Sequence, residues 1–312
     1  MAADAESVAL SSGGTNLEIR YYVVCLLDVL GQAQSLQGWA RLPTDGQPTE
    51  EFIESLKKTV GTILGLRDLF NDFFAAFEQS PLPTEKLSQL STEQRKKFER
   101  ITKCTPLHTQ QFADTFVFYA PIVNEHGDIS GPTVFQILTA AAMAILVGLA
   151  AKAPVRGAIT VGPGTEIAPG NFFGPALVEV HQLESEVAEY PRIVLSQAAA
   201  RFVGFTNGFS KDADLERVSA LYHPKLRELL CPDSDDRLII DFMGEAIQSV
   251  ASEIRQYANA ALDAYRVVSA EAARFEAAGD EKLASRYRRL LAYMEPRLPI
   301  WGIRKEASDV GG

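Results

Sequence analysis

Several stretches of the chain combine apolar and β-branched residues and are bounded by turn residues, which is the pattern typical of buried strands. They cover residues 18–28, 109–121, 155–162 and 192–196. The second stretch is long enough for one strand or for a hairpin. The Gly- and Pro-rich residues 163–171 predict a turn after the third strand.

Apolar residues recur at helical spacing in two other segments. Thr49 can cap a helix whose first turn carries Glu50 and Glu51, which suits the helix dipole. Residues 133–152 are almost entirely apolar, but they include Gln136 and lead directly into a strand, which favours a buried core helix over a membrane span. We expect the apolar stripe of the first helix to pack in the core: Phe52, Leu56, Val60, Ile63, Phe70, Phe74 and Phe77.

The resulting order is strand, helix, strand or hairpin, helix, strand. This is the split βαβ plan of a ferredoxin-like α+β fold. Beyond residue 215 the spacing predicts a long helix through residues 247–261, an interruption at Gly279 and Asp280, and a second helix that forms an αα-hairpin with the first. We therefore predict a flexible tail (1–16), a main domain (17–205) and a helical C-terminal extension (206–312).

Composition excludes some classes of function. The chain has 312 residues, of which 46% are hydrophobic, and 30 basic against 40 acidic residues give a net charge of −10. This balance argues against a broad nucleic-acid-binding surface. Cys25, Cys104 and Cys231 lie far apart, show no zinc spacing and suit a reducing compartment. We see no signal peptide and expect a cytoplasmic protein without a membrane segment.

Two isolated aspartates carry the candidate chemistry. Asp28 ends the first apolar strand, and Asp114 lies within the second β-rich run. A buried carboxylate must be neutralised, either by a cation such as Mg²⁺ or by a Lys or Arg side chain. Adjacent central strands could bring the two carboxylates side by side. Two metal ions held there could serve a phosphoryl transfer.

With these runs identified, the chain resembles the class III nucleotidyl cyclases over residues 21–184, in four short motifs that occur in the family's order. Residues 27–31 (Leu-Asp-Val-Leu-Gly) resemble the first metal motif Asp-Ile-x-Gly, and residues 112–116 (Phe-Ala-Asp-Thr-Phe) resemble the hairpin Ile-Gly-Asp-Ala-Tyr. Residues 156–162 (Arg-Gly-Ala-Ile-Thr-Val-Gly) resemble Arg-x-Gly-Ile-x-x-Gly. Residues 173–184 resemble the stretch Trp-Gly-Asp-Thr-Val to Arg-Leu-Glu.

The fuller strings, including Tyr-Pro-Arg-Ile-Val at residues 190–194, are similar to the pyrimidine cyclases of the Pycsar antiphage systems. That resemblance implies an enzyme that converts UTP to 3′,5′-cyclic UMP, or CTP to cyclic CMP, and releases pyrophosphate. The cyclic product would activate a separate effector protein. The family also implies a homodimer with active sites at the subunit interface.

The resemblance assigns roles position by position. Asp28, Asp114 and the Val29 carbonyl would hold two Mg²⁺ or Mn²⁺ ions, and Arg156 would contact the β- and γ-phosphates. Backbone N–H groups would bind the triphosphate, and two amide side chains, at the positions where purine cyclases read the base, would suit a pyrimidine edge. The N–H groups belong to Leu30, Gly31 and Gln32, and the amides to Gln110 and Asn171.

The chain departs from the family at two positions. Val178 and Gln182 occupy the places of the transition-state Asn and Arg, and neither is a cation. The metals, Arg156 or another arginine such as Arg192 would have to meet the developing charge. Arg156 itself could instead be a structural ion-pair partner. Two alternatives to the cyclase remain: a non-catalytic nucleotide sensor of the same fold, and a palm-type polymerase or oligonucleotide synthase.

Overall fold

The computed structural model describes residues 18–31, 49–76, 91–123, 130–204 and 222–304. The strands are β1 (Arg20–Val29), β2 (His108–Phe112), β3 (Thr115–Pro121), β4 (Val155–Ala168), β5 (Asn171–Phe173), β6 (Ile193–Leu195), β7 (Leu230–Pro232) and β8 (Leu238–Ile240). The α-helices are α1 (Glu50–Ala76), α2 (Thr92–Thr102), α3 (Gly131–Ala150), α4 (Pro175–Glu186), α5 (Gln197–Gly204), α6 (Tyr222–Glu228), α7 (Glu245–Glu253), α8 (Ala260–Ala277) and α9 (Glu281–Met294). Two 3₁₀ segments are Arg255–Tyr257 and Glu295–Trp301.

The sheet has the strand order β2-β3-β1-β4-β6-β8-β7, and β5 pairs with the far end of β4. Its first four strands are antiparallel neighbours in the ferredoxin-like order, so the predicted α+β class is confirmed. β6 joins β4 in parallel, and β8 and β7 extend the same sheet. Residues 230–240 of the predicted helical extension thus form a β-hairpin. Strands of three residues are too short to show an alternating pattern.

The two faces of the sheet bury different sets of side chains. Alternate residues of β1, such as Val23, Cys25 and Leu27, enter the large core that contains α3. The intervening Val24 and Leu26 enter a smaller cluster against α4. Because strand side chains alternate between faces, Asp28 belongs to the α4 face.

Helix α3 is the centre of the large core. By length and composition α3 could cross a membrane, since its mean hydropathy is 2.1. However, 83% of this apolar stretch is buried within the fold. This is the arrangement of a core helix, as the sequence indicated. The polar Gln136 lies inside it with only 1% of its surface exposed.

Helix α1 begins as predicted, because the Phe52 N–H donates to the Thr49 hydroxyl. The predicted stripe was wrong at one position: Val60 is 39% exposed, whereas Thr59 is buried. Buried positions continue from Thr59 in steps of four and three along the helix, through Ile63, Leu66, Phe70 and Phe73. Phe77 lies outside the described residues.

Two further boundaries differ from the sequence prediction. The predicted turn at residues 163–171 is mostly strand, because β4 runs on past Gly162, with Pro163 opposite Tyr21 of β1. Gly164 allows this: a Cβ there would overlap the Phe172 ring. The single long helix predicted through residues 247–261 is divided into α7, a 3₁₀ turn and α8. The αα-hairpin of α8 and α9 is present, with Asp280 capping α9.

Candidate active site

Asp28 lies at the end of β1, in a row of polar residues that crosses three strands. Thr115 of β3 and Arg156 of β4 are its partners in the antiparallel register. The Thr115 hydroxyl donates to Asp28 Oδ1 at 3.1 Å, and Arg156 Nε donates to Oδ2 at 3.2 Å. The row is accessible from one side, since 19% of the Asp28 side chain is exposed.

Asp114 lies in the two-residue turn between β2 and β3. The expectation that it sits on a strand is therefore corrected, because Ala113 adopts a positive φ of 51° and closes the hairpin just before it. The turn still meets the end of β1: the Val29 N–H donates to the Asp114 carbonyl at 3.2 Å. Burial raises the pKa of Asp114, and the nearby charge of Asp28 raises it further. The two aspartates therefore lie close enough to repel each other.

Arg156 is flanked by two carboxylates. Its Nε lies 3.2 Å from Asp28 Oδ2 and 2.7 Å from Glu184 Oε1. Glu184, on α4, is only 5% exposed. Burial raises its pKa, Arg156 opposes that rise and Asp28 adds to it. The ion pair matches the structural alternative for Arg156. Sequence reasoning assigned no role to Glu184 or Thr115, although both lie within the quoted motifs.

The oxygen ligands in this cluster suit Mg²⁺ or Mn²⁺. Burial and the charge of Asp28 raise the pKa of Asp114, which shows that a second carboxylate lies near Asp28. Mg²⁺ commonly binds one or two carboxylates together with substrate phosphates. Among the described residues, no group of three His, Cys, Asp or Glu side chains forms a ready-made metal cage. A cation at Asp28 and Asp114 would therefore need further oxygen ligands from outside this cluster.

The turn after β1 supplies fewer free donors than predicted. The Leu30 N–H already donates to the Pro154 carbonyl at 2.8 Å, so the expected role of Leu30 as a phosphate donor is wrong in this structure. Gly31 has φ +85°, a left-handed conformation that favours glycine, and nothing lies within 4 Å of the position of a Cβ. Gln32 lies outside the described residues.

The two predicted base-reading residues are brought together at β5. Gln110 Oε1 accepts a 2.8 Å hydrogen bond from the Phe172 N–H, and Asn171 is the adjacent residue. Glu166 anchors the hairpin of β4 and β5. Its Oε1 accepts hydrogen bonds from the Tyr119 hydroxyl and from the Gly170 N–H, both at 2.7 Å. Burial alone would raise the Glu166 pKa, but these hydrogen bonds lower it.

Helix α4 covers the site without supplying a cation. It contains no Lys or Arg, and Val178 and Gln182 are both exposed on it. Arg192, considered as a substitute, is only 2% exposed. Its guanidinium donates to Asp233 and Asp235 of the β7–β8 turn and to the Val187 carbonyl. These bonds hold Arg192 in the core, so its expected access to the phosphates is wrong.

No family model and no curated protein matches the chain. The solved structures that match include two with weak similarity, each at 11% sequence identity. The first is the monomeric guanylyl cyclase domain of the RhoGC fusion protein from the aquatic fungus Blastocladiella emersonii, with a TM-score of 0.36 over 61% of this chain and 90% of that chain. The second is the catalytic core of a rhodopsin-guanylyl cyclase with converted specificity in complex with ATPαS, with a TM-score of 0.34 over 62% and 86%. Similarities this low do not assign a family, and the function must rest on the residues of the chain itself.

Proposed function

We propose that this protein is a nucleotidyl cyclase that converts UTP, or less readily CTP, to the 3′,5′-cyclic mononucleotide and pyrophosphate. One observation carries the proposal: the Val29 N–H donates to the Asp114 carbonyl and joins the end of β1 to the β2–β3 turn. The effect of the Asp28 charge on the pKa of Asp114 supports a shared cluster of the two carboxylates. The four sequence motifs of the cyclase resemblance meet around the same point.

Each residue has a defined task in the reaction. The ribose 3′ oxygen bonds to the α-phosphorus, the bond from that phosphorus to the β-phosphate oxygen breaks, and the hydroxyl proton passes to solvent. Asp28 and Asp114, with the Val29 carbonyl, would hold two Mg²⁺ or Mn²⁺ ions, which would supply positive charge at the attacking and leaving oxygens. Arg156 would bind the β- and γ-phosphates, and the open turn at Gly31 would admit the triphosphate.

The amide of Gln110 favours UTP over CTP. Its oxygen accepts the Phe172 N–H, so its remaining polar group is the Nε2 donor, which bonds to no described residue. A donor requires an acceptor on the base edge. Uracil presents a carbonyl at position 4, whereas cytosine presents an amino group there. Asn171 beside it would contact the rest of the base.

A homodimer would complete the site. Large apolar side chains are exposed around it: Phe112 of β2 is 57% exposed, Phe173 of β5 is 63% exposed and Val178 of α4 is 58% exposed. A second copy of the chain would bury them and could bring the charge that α4 lacks. Sedimentation or light scattering should give twice the chain mass, and Phe173→Asp should shift the protein towards monomer.

The test of substrate and product is direct. The purified protein is incubated with each of the four nucleoside triphosphates and Mn²⁺, and the products are identified by mass spectrometry. We expect cyclic UMP and pyrophosphate, with UTP the best substrate. No cyclic mononucleotide from any of the four would contradict the proposal, and a dinucleotide product would indicate an oligonucleotide synthase instead.

The absence of a Lys or Arg on α4 favours a second candidate, a nucleotide sensor without turnover. Such a protein would bind UTP in a calorimeter but release no pyrophosphate. Rapid pyrophosphate release would exclude the sensor. The role of the cyclic product, which is to activate a separate effector in cytoplasmic antiphage defence, rests on the sequence resemblance alone.

A further inference from the structure

The hydrogen bonding of Arg156 leaves one of its carboxylate neighbours unsatisfied. Nε carries a single hydrogen, and that hydrogen is directed to Asp28 Oδ2 at 3.2 Å. Glu184 Oε1 lies closer, at 2.7 Å, yet it is a buried atom that accepts no hydrogen bond from any described residue. Glu184 Oε1 is therefore attracted to the Arg156 guanidinium by opposite charge, but no N–H group points at it.

This arrangement of Glu184 is costly. A buried carboxylate oxygen without a donor loses the hydration that it would have in water. The carboxylate is fixed on α4 with a side chain only 7% exposed, so it does not turn to solvent instead. The terminal nitrogens of Arg156 bond to no described residue. Only the inner end of the guanidinium is held.

We propose that Glu184 is a positioning residue. When a divalent cation binds to Asp28, the Arg156 Nε–H stops donating to Asp28 and donates to Glu184 Oε1 instead. This inference rests on the proposed function, because it assumes a cation at the aspartate pair. A cation and a guanidinium on one carboxylate would repel each other. Redirecting this hydrogen bond to Glu184 Oε1 would free a lone pair of Asp28 for the cation. It would also keep Arg156 anchored, with its terminal nitrogens available to phosphate.

The test is a double-mutant cycle on cation affinity, measured by calorimetry with Mn²⁺ alone and the full chain. In the presence of Arg156, Glu184→Gln should weaken Mn²⁺ binding about tenfold, within the range of coupling between contacting residues. In an Arg156→Gln background the same Glu184→Gln change should alter the affinity by less than about twofold. Equal weakening in both backgrounds would mean that Glu184 acts on the cation directly, and would overturn the proposal.

A second readout needs no variant of Glu184 and so does not depend on that variant folding. The ¹⁵Nε–H resonance of Arg156, assigned by its loss in Arg156→Lys, is followed during a Mg²⁺ titration. The proposal predicts a shift that saturates together with the calorimetric Mg²⁺ binding. A resonance that stays constant through saturation would overturn it.

The two proposals can fail separately. If Mn²⁺ binding shows the predicted coupling but no nucleoside triphosphate is cyclised, the enzymatic function falls and the role of Glu184 stands. If cyclic UMP forms but the coupling is absent, the role of Glu184 falls alone. If the unaltered protein binds no divalent cation, both fall.

Discussion

Arg192 offers the sharpest test of how the C-terminal hairpin is attached to the sheet. The guanidinium is 2% exposed and donates to Asp233, which is itself 5% exposed in its side chain, and to Asp235 at 3.0 and 2.9 Å. The Tyr190 hydroxyl also donates to Asp233. We predict that Arg192→Met, which keeps the length of the side chain, strands the Asp233 carboxylate in the interior.

The size of the effect follows from burial. Removing one partner of a buried ion pair typically costs about 3–5 kcal/mol, because the remaining charge is left uncompensated. The bond to Asp235 adds little, since that side chain is 35% exposed. We therefore expect a loss of about 3–5 kcal/mol in the free energy of unfolding, which is a large part of the usual 5–15 kcal/mol of a domain.

Urea denaturation measures this loss, with coincident transitions by circular dichroism and fluorescence as the check on two-state behaviour. The matched control is Arg288→Met on α9, where the arginine is 45% exposed and pairs with Glu276 and Glu281 at the surface. Its midpoint should stay within error of the parent protein. A loss for Arg192→Met of less than about 1 kcal/mol would refute the reasoning.

The same contacts predict a pH dependence. Hydrogen bonds from Arg192 lower the pKa of Asp235; burial raises the pKa of Asp233, but its hydrogen bonds outweigh burial and lower it. A lowered folded pKa contributes stability that is present above the unfolded value, about 3.9, and is lost as the pH falls through the folded value. In Arg192→Met the burial of Asp233 is less opposed and its pKa is higher than in the parent, so the stability difference between the two proteins should shrink as the pH falls from neutral to below about 4. A difference that grows on acidification would contradict this.

The remaining predictions concern the packing around β5 and α1. Gly164→Ala should destabilise by about 1–3 kcal/mol, because the added Cβ overlaps the Phe172 ring. Gly65→Ala, within α1 and with open space at the Cβ position, should stabilise by about 0.5–1 kcal/mol. Tyr119→Phe removes a 2.7 Å bond to Glu166 and should cost about 1.5–3 kcal/mol, together with faster hydrogen exchange near the β4–β5 turn. Urea midpoints and amide exchange measure all three.

For each of these three variants, one result would contradict the structure. A neutral Gly164→Ala would mean that the Phe172 ring does not lie on β4. Destabilisation by Gly65→Ala would mean that this side of α1 is covered. Unchanged exchange in Tyr119→Phe would mean that Glu166 does not hold the hairpin.

The sequence could predict the elements and their ferredoxin-like order, but not the register in which the strands pair. An apolar run that ends in one carboxylate locates Asp28 at a strand end, and the order of strands and helices indicates the ferredoxin-like core. The contact of Asp28 with Arg156, however, joins residues that are 128 positions apart and depends on the register of β1 against β4. Strand periodicity does not fix that register.

Other parts of the site were beyond the reach of sequence patterns for similar reasons. Glu184 is a common residue type on an amphipathic helix, and only the packing of α4 on the sheet makes it a buried partner of Arg156. Arg192 carries the same charge as a phosphate-binding arginine, and only its burial against the β7–β8 turn removes it from the site. The residue type tells which charge a side chain carries, whereas tertiary packing decides which groups that charge contacts.

The central claim, that Asp28 and Asp114 act together in one cation site, is tested most directly by the rate of cyclic UMP formation in Asp28→Asn, Asp114→Asn and the double variant. Asp68→Asn, at an exposed position on α1, is the matched control. Residues that act as a unit are not additive. We predict that each single change lowers the rate by at least about 10³-fold, that the double change lowers it no further, and that the control keeps full activity. Single changes of less than about tenfold that multiply in the double variant would contradict the claim.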